Sequence, residues 1–172
     1  TVTLNPALDL ATSAETVRPG PKLRCEEPRA APGGGGINVS RVIRRLGGEA
    51  PAFVALGGAT GARLASLLHR ERIPCIPFEG PGETRESLSV TDRATGGQYR
   101  FVMPGPRWTR TRGEDATRAI VAAAGPGALV VLSGSLPPGR SHDLPAALAA
   151  RLARRGGRLV LDTSGATLSR AA

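Results

Sequence analysis

The sequence predicts an α/β fold, a parallel sheet with helices on both faces plus a small antiparallel β lid. Three observations predict it. Short apolar runs alternate with stretches of helical periodicity, the order that builds parallel sheets. A pair of β-prone stretches interrupts that order with no helix between them. The 172 residues, 40% hydrophobic and 22% charged, suffice for one ordinary core.

Val2-Thr3-Leu4 is β-prone and is closed by Asn5-Pro6, since proline cannot donate to a ladder; this places Asp9 just past a strand end. Lys22 to Cys25 is a further candidate strand. From Asn38 onward, Val39, Val42, Ile43 and Leu46 recur at helical spacing and predict one buried face, with Gly47-Gly48 as the stop. Ala52 to Leu56 is fully apolar, as a strand covered on both faces should be. A second helix after Gly57-Gly58 carries Leu64, Leu67 and Leu68. Leu88 to Thr91 and Tyr99 to Met103 flank Gly96-Gly97 as a hairpin, expected to form the lid together with Lys22 to Cys25. The alternation then returns with a strand at Ala128 to Leu132, a helix carrying Leu144, Leu148 and Leu152, and a strand at Arg158 to Leu161.

Composition narrows the function. Lys and Arg number 23 against 14 Asp and Glu, a net charge of +9. The arginines are scattered, Lys22 is the only lysine, and 3% aromatic residues leave few stacking platforms, so nucleic acid is not the expected partner. An anionic small substrate suits the charge better. The longest apolar candidate for a membrane span, Ala119 to Leu132, is broken by Gly125, Pro126 and Gly127, so no membrane partner is expected and the chain reads as soluble and cytoplasmic. Cys25 and Cys75 lack metal spacing and read as a reduced, buried pair. No Gly-x-Ser-x-Gly elbow occurs, and His69 and His142 read as ordinary helix residues.

The strongest chemical signal is Pro32-Gly33-Gly34-Gly35-Gly36-Ile37-Asn38, a glycine run opening into a helix, where free amides and the positive helix end can meet a polar or anionic ligand. It fits neither the P-loop nor the dinucleotide fingerprint. Asp9 is placed to reach the cleft at the carboxyl ends of parallel strands and accept hydrogen bonds from sugar hydroxyls; a helix cap is the other reading of that residue. Lys22, Arg85 and Arg100 lie in or beside the lid, so closing it would converge three cations on one anion such as a phosphate. Ser133-Gly134-Ser135-Leu136-Pro137-Pro138-Gly139 ends an apolar strand with hydroxyls on a rigid turn, which suits a ligand or a purely structural corner.

Read together, Thr3 to Asp9, Lys22 to Cys25, Pro32 to Val39, Gly57 to Gly61, Thr84-Arg85, Gln98 to Gly105, Ser133 to Gly139 and Asp162 to Gly165 resemble the PfkB-type branch of the ribokinase-like carbohydrate kinases, and within it the 6-phosphofructokinases. The resemblance spans nearly the whole chain. It implies transfer of the ATP γ-phosphate to the 1-hydroxyl of fructose 6-phosphate, with Mg²⁺ as cofactor, and a β lid that pairs two subunits as a homodimer. By that resemblance Asp9, Gly34, Gly35 and Asn38 hold the sugar hydroxyls, while Lys22, Arg85, Arg100 and Ser135 surround the 6-phosphate. Kinases of tagatose 6-phosphate, the second choice, and of fructose 1-phosphate share Asn5 to Asp9. Ser40 stands where the family more usually has alanine, also a small residue.

The family's second half carries an Asn-x-x-Glu element serving Mg²⁺ and a Gly-Ala-Gly-Asp anion hole with the catalytic aspartate, and neither motif occurs in these 172 residues. No catalytic residue and no metal ligand is therefore assigned. Residues 1–172 read as the acceptor-binding N-terminal portion of such a kinase, with lid segments at about 20–30 and 85–104 and the nucleotide-binding half absent. The expectation is binding without turnover, and a non-catalytic sugar-phosphate-binding module is the alternative class.

Overall fold

The structure, a computed structural model, describes residues 1–139 and 143–171. The first half of the chain forms β1 (Val2–Thr3), β2 (Ala7–Ala14), β3 (Arg29–Gly33), α1 (Gly35–Arg45), β4 (Ala52–Leu56), α2 (Gly58–Arg70) and β5 (Cys75–Glu79). The second forms β6 (Arg85–Asp92), β7 (Gln98–Val102), α3 (Arg110–Ala124), β8 (Leu129–Ser133), α4 (Leu144–Ala153), β9 (Arg158–Asp162) and α5 (Ala166–Ala171). The main sheet has the order β5-β4-β1-β8-β9 with every pairing parallel. Helices cover both of its faces, as the alternating pattern predicts. On one face Val2, Leu4, Phe53, Ala55, Val130 and Leu132 pack against Ala116 and Ile120 of α3 and Leu144, Leu148 and Leu152 of α4. On the other, Ala52 and Val54 meet Ile37 of α1 and Leu64 and Leu68 of α2. Neighbouring residues of β4 thus serve opposite cores, the two-residue period of a strand. Trp108, which no periodic pattern marks, is buried beside Phe78, whose ring lies 5.6 Å from that of Phe53.

A second, mixed sheet has the order β3-β2-β6-β7. The predicted hairpin forms as β6 and β7, and β2 with β3 is also antiparallel, but the central pair, β2 with β6, runs parallel. Lys22 to Cys25 is not a strand. It lies on an exposed loop joined to the sheet by an isolated bridge between Ala14 and Cys25 and by a bond from Thr12 Oγ1 to the Glu26 carbonyl. Its place is taken by β2 and β3, because Asn5-Pro6 does not end the extended chain: it lies in the crossing from β1 in one sheet to β2 in the other, where Pro6 owes no hydrogen bond to either ladder.

Other expectations need correction. Val42 and Leu46 are not on the buried face of α1 but are 52% and 82% exposed, and Gly36, Ile37 and Ser40 face inward. The rotation is set by contact with β1. A Cβ on Gly36 would overlap the Val2 carbonyl, and the Ile37 amide donates to Thr3 Oγ1 at 3.0 Å. The cysteines are no buried pair, since Cys25 is exposed and Cys75 half-buried, its thiol pushed up by burial. His69 sits exposed in the last turn of α2, and His142 lies outside the described residues. Among the described residues no helix is long and apolar enough to cross a membrane.

Buried Asp92, at the end of β6, accepts from the Val17 amide at 2.9 Å and the Thr95 amide at 3.0 Å, tying the loop after β2 to the hairpin turn. These bonds, that to Val17 foremost, hold its carboxyl below the usual range. Because the native value is depressed, this stabilisation is complete above the ordinary carboxylate value of about 4 and is lost as the pH falls through the lowered native one. Asp92→Asn is expected to flatten that acid limb in an unfolding series against pH. Leu148→Ala, in the centre of the larger core, is expected to lower the unfolding free energy by about 2–5 kcal/mol in chemical denaturation.

Candidate functional site

The first turn of α1 lies at the carboxyl ends of β1 and β8. There the strand order departs in opposite directions, and open parallel sheets form their ligand crevice at such a point. Gly34 precedes the helix at φ 137°, which side-chain-bearing residues rarely adopt. Gly34 has no side chain to cap the helix, Thr3 Oγ1 takes only the Ile37 amide, and no acidic residue occupies the first turn, so the Gly35 and Gly36 amides and the positive helix end remain for a ligand. A Cβ on Gly35 would collide with Ser133, the residue closing β8, whose Oγ donates to Asp162 Oδ2 at 2.7 Å. The helix start is therefore seated against the ends of two strands.

The second sheet roofs this cradle. In its register Ala7 stands opposite Arg85, Asp9 opposite Ser87, and Ala11 opposite Ser89, which in turn faces Arg100. Register partners and alternate residues share a face. Asp9, Arg85 and Arg100 thus project from one face, the Asp9 row lying between the two arginine rows. Asp9 is consequently a residue of the lid sheet itself and not of a strand end beneath it. Burial pushes its carboxyl above the usual range, and the positive charges of Arg85, Arg100 and Arg41 oppose that rise.

A cleft of about 310 Å³ lies between cradle and roof, and Asp9, Gly34, Gly35, Asn38, Arg85 and Arg100 all line it. Lys22 and Ser135 do not. Lys22 sits on the exposed loop between β2 and β3, while Ser135 Oγ accepts from Asn5 Nδ2 at 3.1 Å. Arg85 is already engaged, donating to the Asn5 carbonyl at 3.2 and 3.3 Å and to the Met103 carbonyl at 3.0 Å; burial lowers its pKa and Asp9 counters that effect. It frames the cleft as much as it charges it.

Two contributors escape a reading by motif. Arg41, one turn after Asn38, donates to Asn38 Oδ1 and to the Pro32 carbonyl and pairs with Glu71 at 2.7 Å. Its three-residue spacing from Asn38 is the signal that identifies it. Asn5 links Arg85 to Ser135, and nothing in its sequence neighbourhood announces that. The arrangement offers amide donors, one carboxylate acceptor and two cations, a set suited to a polyhydroxylated anion. Among the described residues no three of His, Cys, Asp or Glu cluster as they would to hold a metal ion.

Residues 3–172 match the family described as pfkB family carbohydrate kinase. The ATP-dependent 6-phosphofructokinase isozyme 2 of Mycobacterium tuberculosis is 45% identical over 98% of this chain and 50% of its own length. That of Escherichia coli is 45% identical over 99% of this chain and 55% of its own. The crystal structure of Escherichia coli phosphofructokinase-2 with fructose 6-phosphate superposes with a TM-score of 0.92 at 44% identity, covering 99% of this chain and 56% of that one. The chain spans about half the length of the curated relatives it matches. Because the cradle depends on backbone-to-backbone contact, Gly36→Ala is expected to cost about 1–3 kcal/mol of stability in denaturant titration, and a neutral result would refute the close approach of α1 to β1.

Proposed function

The chain belongs to the pfkB family of carbohydrate kinases, and from that membership we propose that its cleft holds the sugar-phosphate acceptor of an ATP-dependent phosphotransferase, with fructose 6-phosphate as the substrate. The observation that carries the reading is the shared lining of the cleft by Asp9, Gly34, Gly35, Asn38, Arg85 and Arg100. In it the Asp9 carboxylate accepts from sugar hydroxyls, Asn38 and the Gly34 and Gly35 amides donate to them, and Arg85 and Arg100 face the 6-phosphate, helped by Lys22 and Ser135 from outside the cleft lining. The 1-hydroxyl is the site of phosphorylation. ATP and Mg²⁺ are assigned by family resemblance and bind outside these residues, so the 172-residue chain holds the acceptor without turning it over. Relatives named 1-phosphofructokinase, such as that of Xanthomonas campestris at 32% identity, make fructose 1-phosphate the alternative acceptor, beside tagatose 6-phosphate. Exposed Tyr99, Phe101 and Val102 on β7 support pairing of two copies through the lid. One structure of the Escherichia coli protein is titled as a tetrameric inhibited form.

Calorimetry tests the reading. Arg100→Ala is expected to weaken fructose 6-phosphate binding by about 1.5–3 kcal/mol while leaving fructose binding unchanged, and an equal loss for both sugars would remove the phosphate assignment. Since burial raises the Asp9 pKa, affinity is expected to fall on acidification at a higher pH than an ordinary carboxylate would dictate, and Asp9→Asn should abolish that component. The second ionisation of the sugar phosphate, near pH 6, would persist in both proteins. ATP-dependent phosphorylation by the purified 172-residue chain would contradict the assignment of the nucleotide side elsewhere.

A further inference from the structure

We propose that Arg41 is a positioning residue that fixes the polarity of the Asn38 amide, so that Asn38 meets a bound sugar only as a hydrogen-bond donor. The inference rests on the acceptor-cleft reading above. Guanidinium groups donate and never accept, so the end of the Asn38 amide facing Arg41 Nη1 must be Oδ1, whichever way the amide is drawn. That leaves the two Nδ2 hydrogens for the cleft that Asn38 lines. Arg41 is itself held in place. Its Nε donates to Glu71 Oε2 at 2.7 Å, and its Nη2 donates to Glu71 Oε1 at 3.2 Å and to the Pro32 carbonyl at 3.0 Å, with 22% of the side chain exposed. It therefore ties the first turns of α1 to β3 of the lid and to the end of α2.

The consequence is a matched pair across the cleft. Asp9, when ionised, only accepts; Asn38, held by Arg41, only donates. A hydroxyl satisfies both at once, giving its hydrogen to Asp9 and taking one from Asn38. A carbonyl or phosphate oxygen has nothing to give Asp9 and is repelled by its charge. Without Arg41 the amide is free to turn over and present Oδ1 beside Asp9, so the cleft loses its discrimination for hydroxyls. Arg41 acts on Asp9 as well. The charged groups facing that carboxylate are Arg85 from β6, Arg100 from β7 and Arg41 from α1, while β3 contributes the backbone of Gly33. Removing one of the three cations lets the Asp9 carboxyl rise and moves the acid limb of binding to higher pH.

Fructose 6-phosphate binding by the 172-residue chain, its Arg41→Ala and Asn38→Ala variants and the double variant forms the test. Arg41→Ala is expected to weaken binding about tenfold in the parent and less than about twofold in the Asn38→Ala background, with the acid limb displaced upward. Arg41→Lys keeps the charge and a donor-only group opposite Glu71, so it should fold, bind between the two and leave the limb unmoved. Equal losses in both backgrounds, or a limb that stays put in Arg41→Ala, would reduce Arg41 to a structural residue and overturn the proposal. Side-chain amide relaxation of Asn38 by ¹⁵N NMR decides the matter without any sugar. An amide ordered in the parent and mobile in Arg41→Ala supports the proposal, and one equally ordered in both overturns it. If the parent binds no fructose 6-phosphate, the acceptor reading fails by itself, and the amide measurement still settles the Asn38 orientation.

Discussion

The contact on which the rest depends is the seating of the first turn of α1 directly on the backbone of β1. Helices normally stand off a sheet by the depth of their side chains. Here Gly36 lies against the Val2 carbonyl and the Ile37 amide donates to Thr3 Oγ1, so the helix end comes as near to the strand as backbone allows. That approach fixes the rotation of α1 and brings its unfilled amides to the mouth of the sheet. The same run of glycines meets a different neighbour at each step, the Asp9 carboxylate at Gly33, Thr3 at Gly34 and Ser133 at Gly35. A single side chain in the run would push apart two elements that must touch.

The electrostatics of the site follow from strand parity. Since Asp9, Arg85 and Arg100 all fall on register rows of one face, the lid presents a carboxylate flanked by cations with no need for loop residues to converge. The carboxylate is partly withdrawn from water, which favours its neutral form, and the three arginines around it favour the anion.

The parallel sheet, its two-sided cover and the glycine cradle were legible because apolar periodicity and glycine runs are local signals. Leu64, Leu68, Leu144, Leu148 and Leu152 are buried as their spacing predicts. What escaped has a common cause in tertiary context. Pro32 and Pro77 sit in β3 and β5, each an edge strand of its sheet, where a missing N–H costs nothing, so proline there is no strand terminator. The α3 helix buries Gly113, Ala116 and Thr117 beside Ile120, small residues that leave little apolar pattern to detect. Val42 and Leu46 look like core and are not, because glycine contacts, invisible to any hydrophobicity count, turn their face outward. Six of the eight anticipated site residues share the cleft. The two that do not, Lys22 and Ser135, lie on a loop and a turn whose course the local pattern leaves undetermined.

Floor and ceiling of the cavity are cut from one thread. Only Leu4, Asn5 and Pro6 separate β1 from β2, and the Asn5 carbonyl between them is gripped by the Arg85 guanidinium. A vessel joined to its cover by so short and so bolted a seam has little play along that edge. Rigidity at the join also means that pulling on the cover strains the very strand against which the helix is moored.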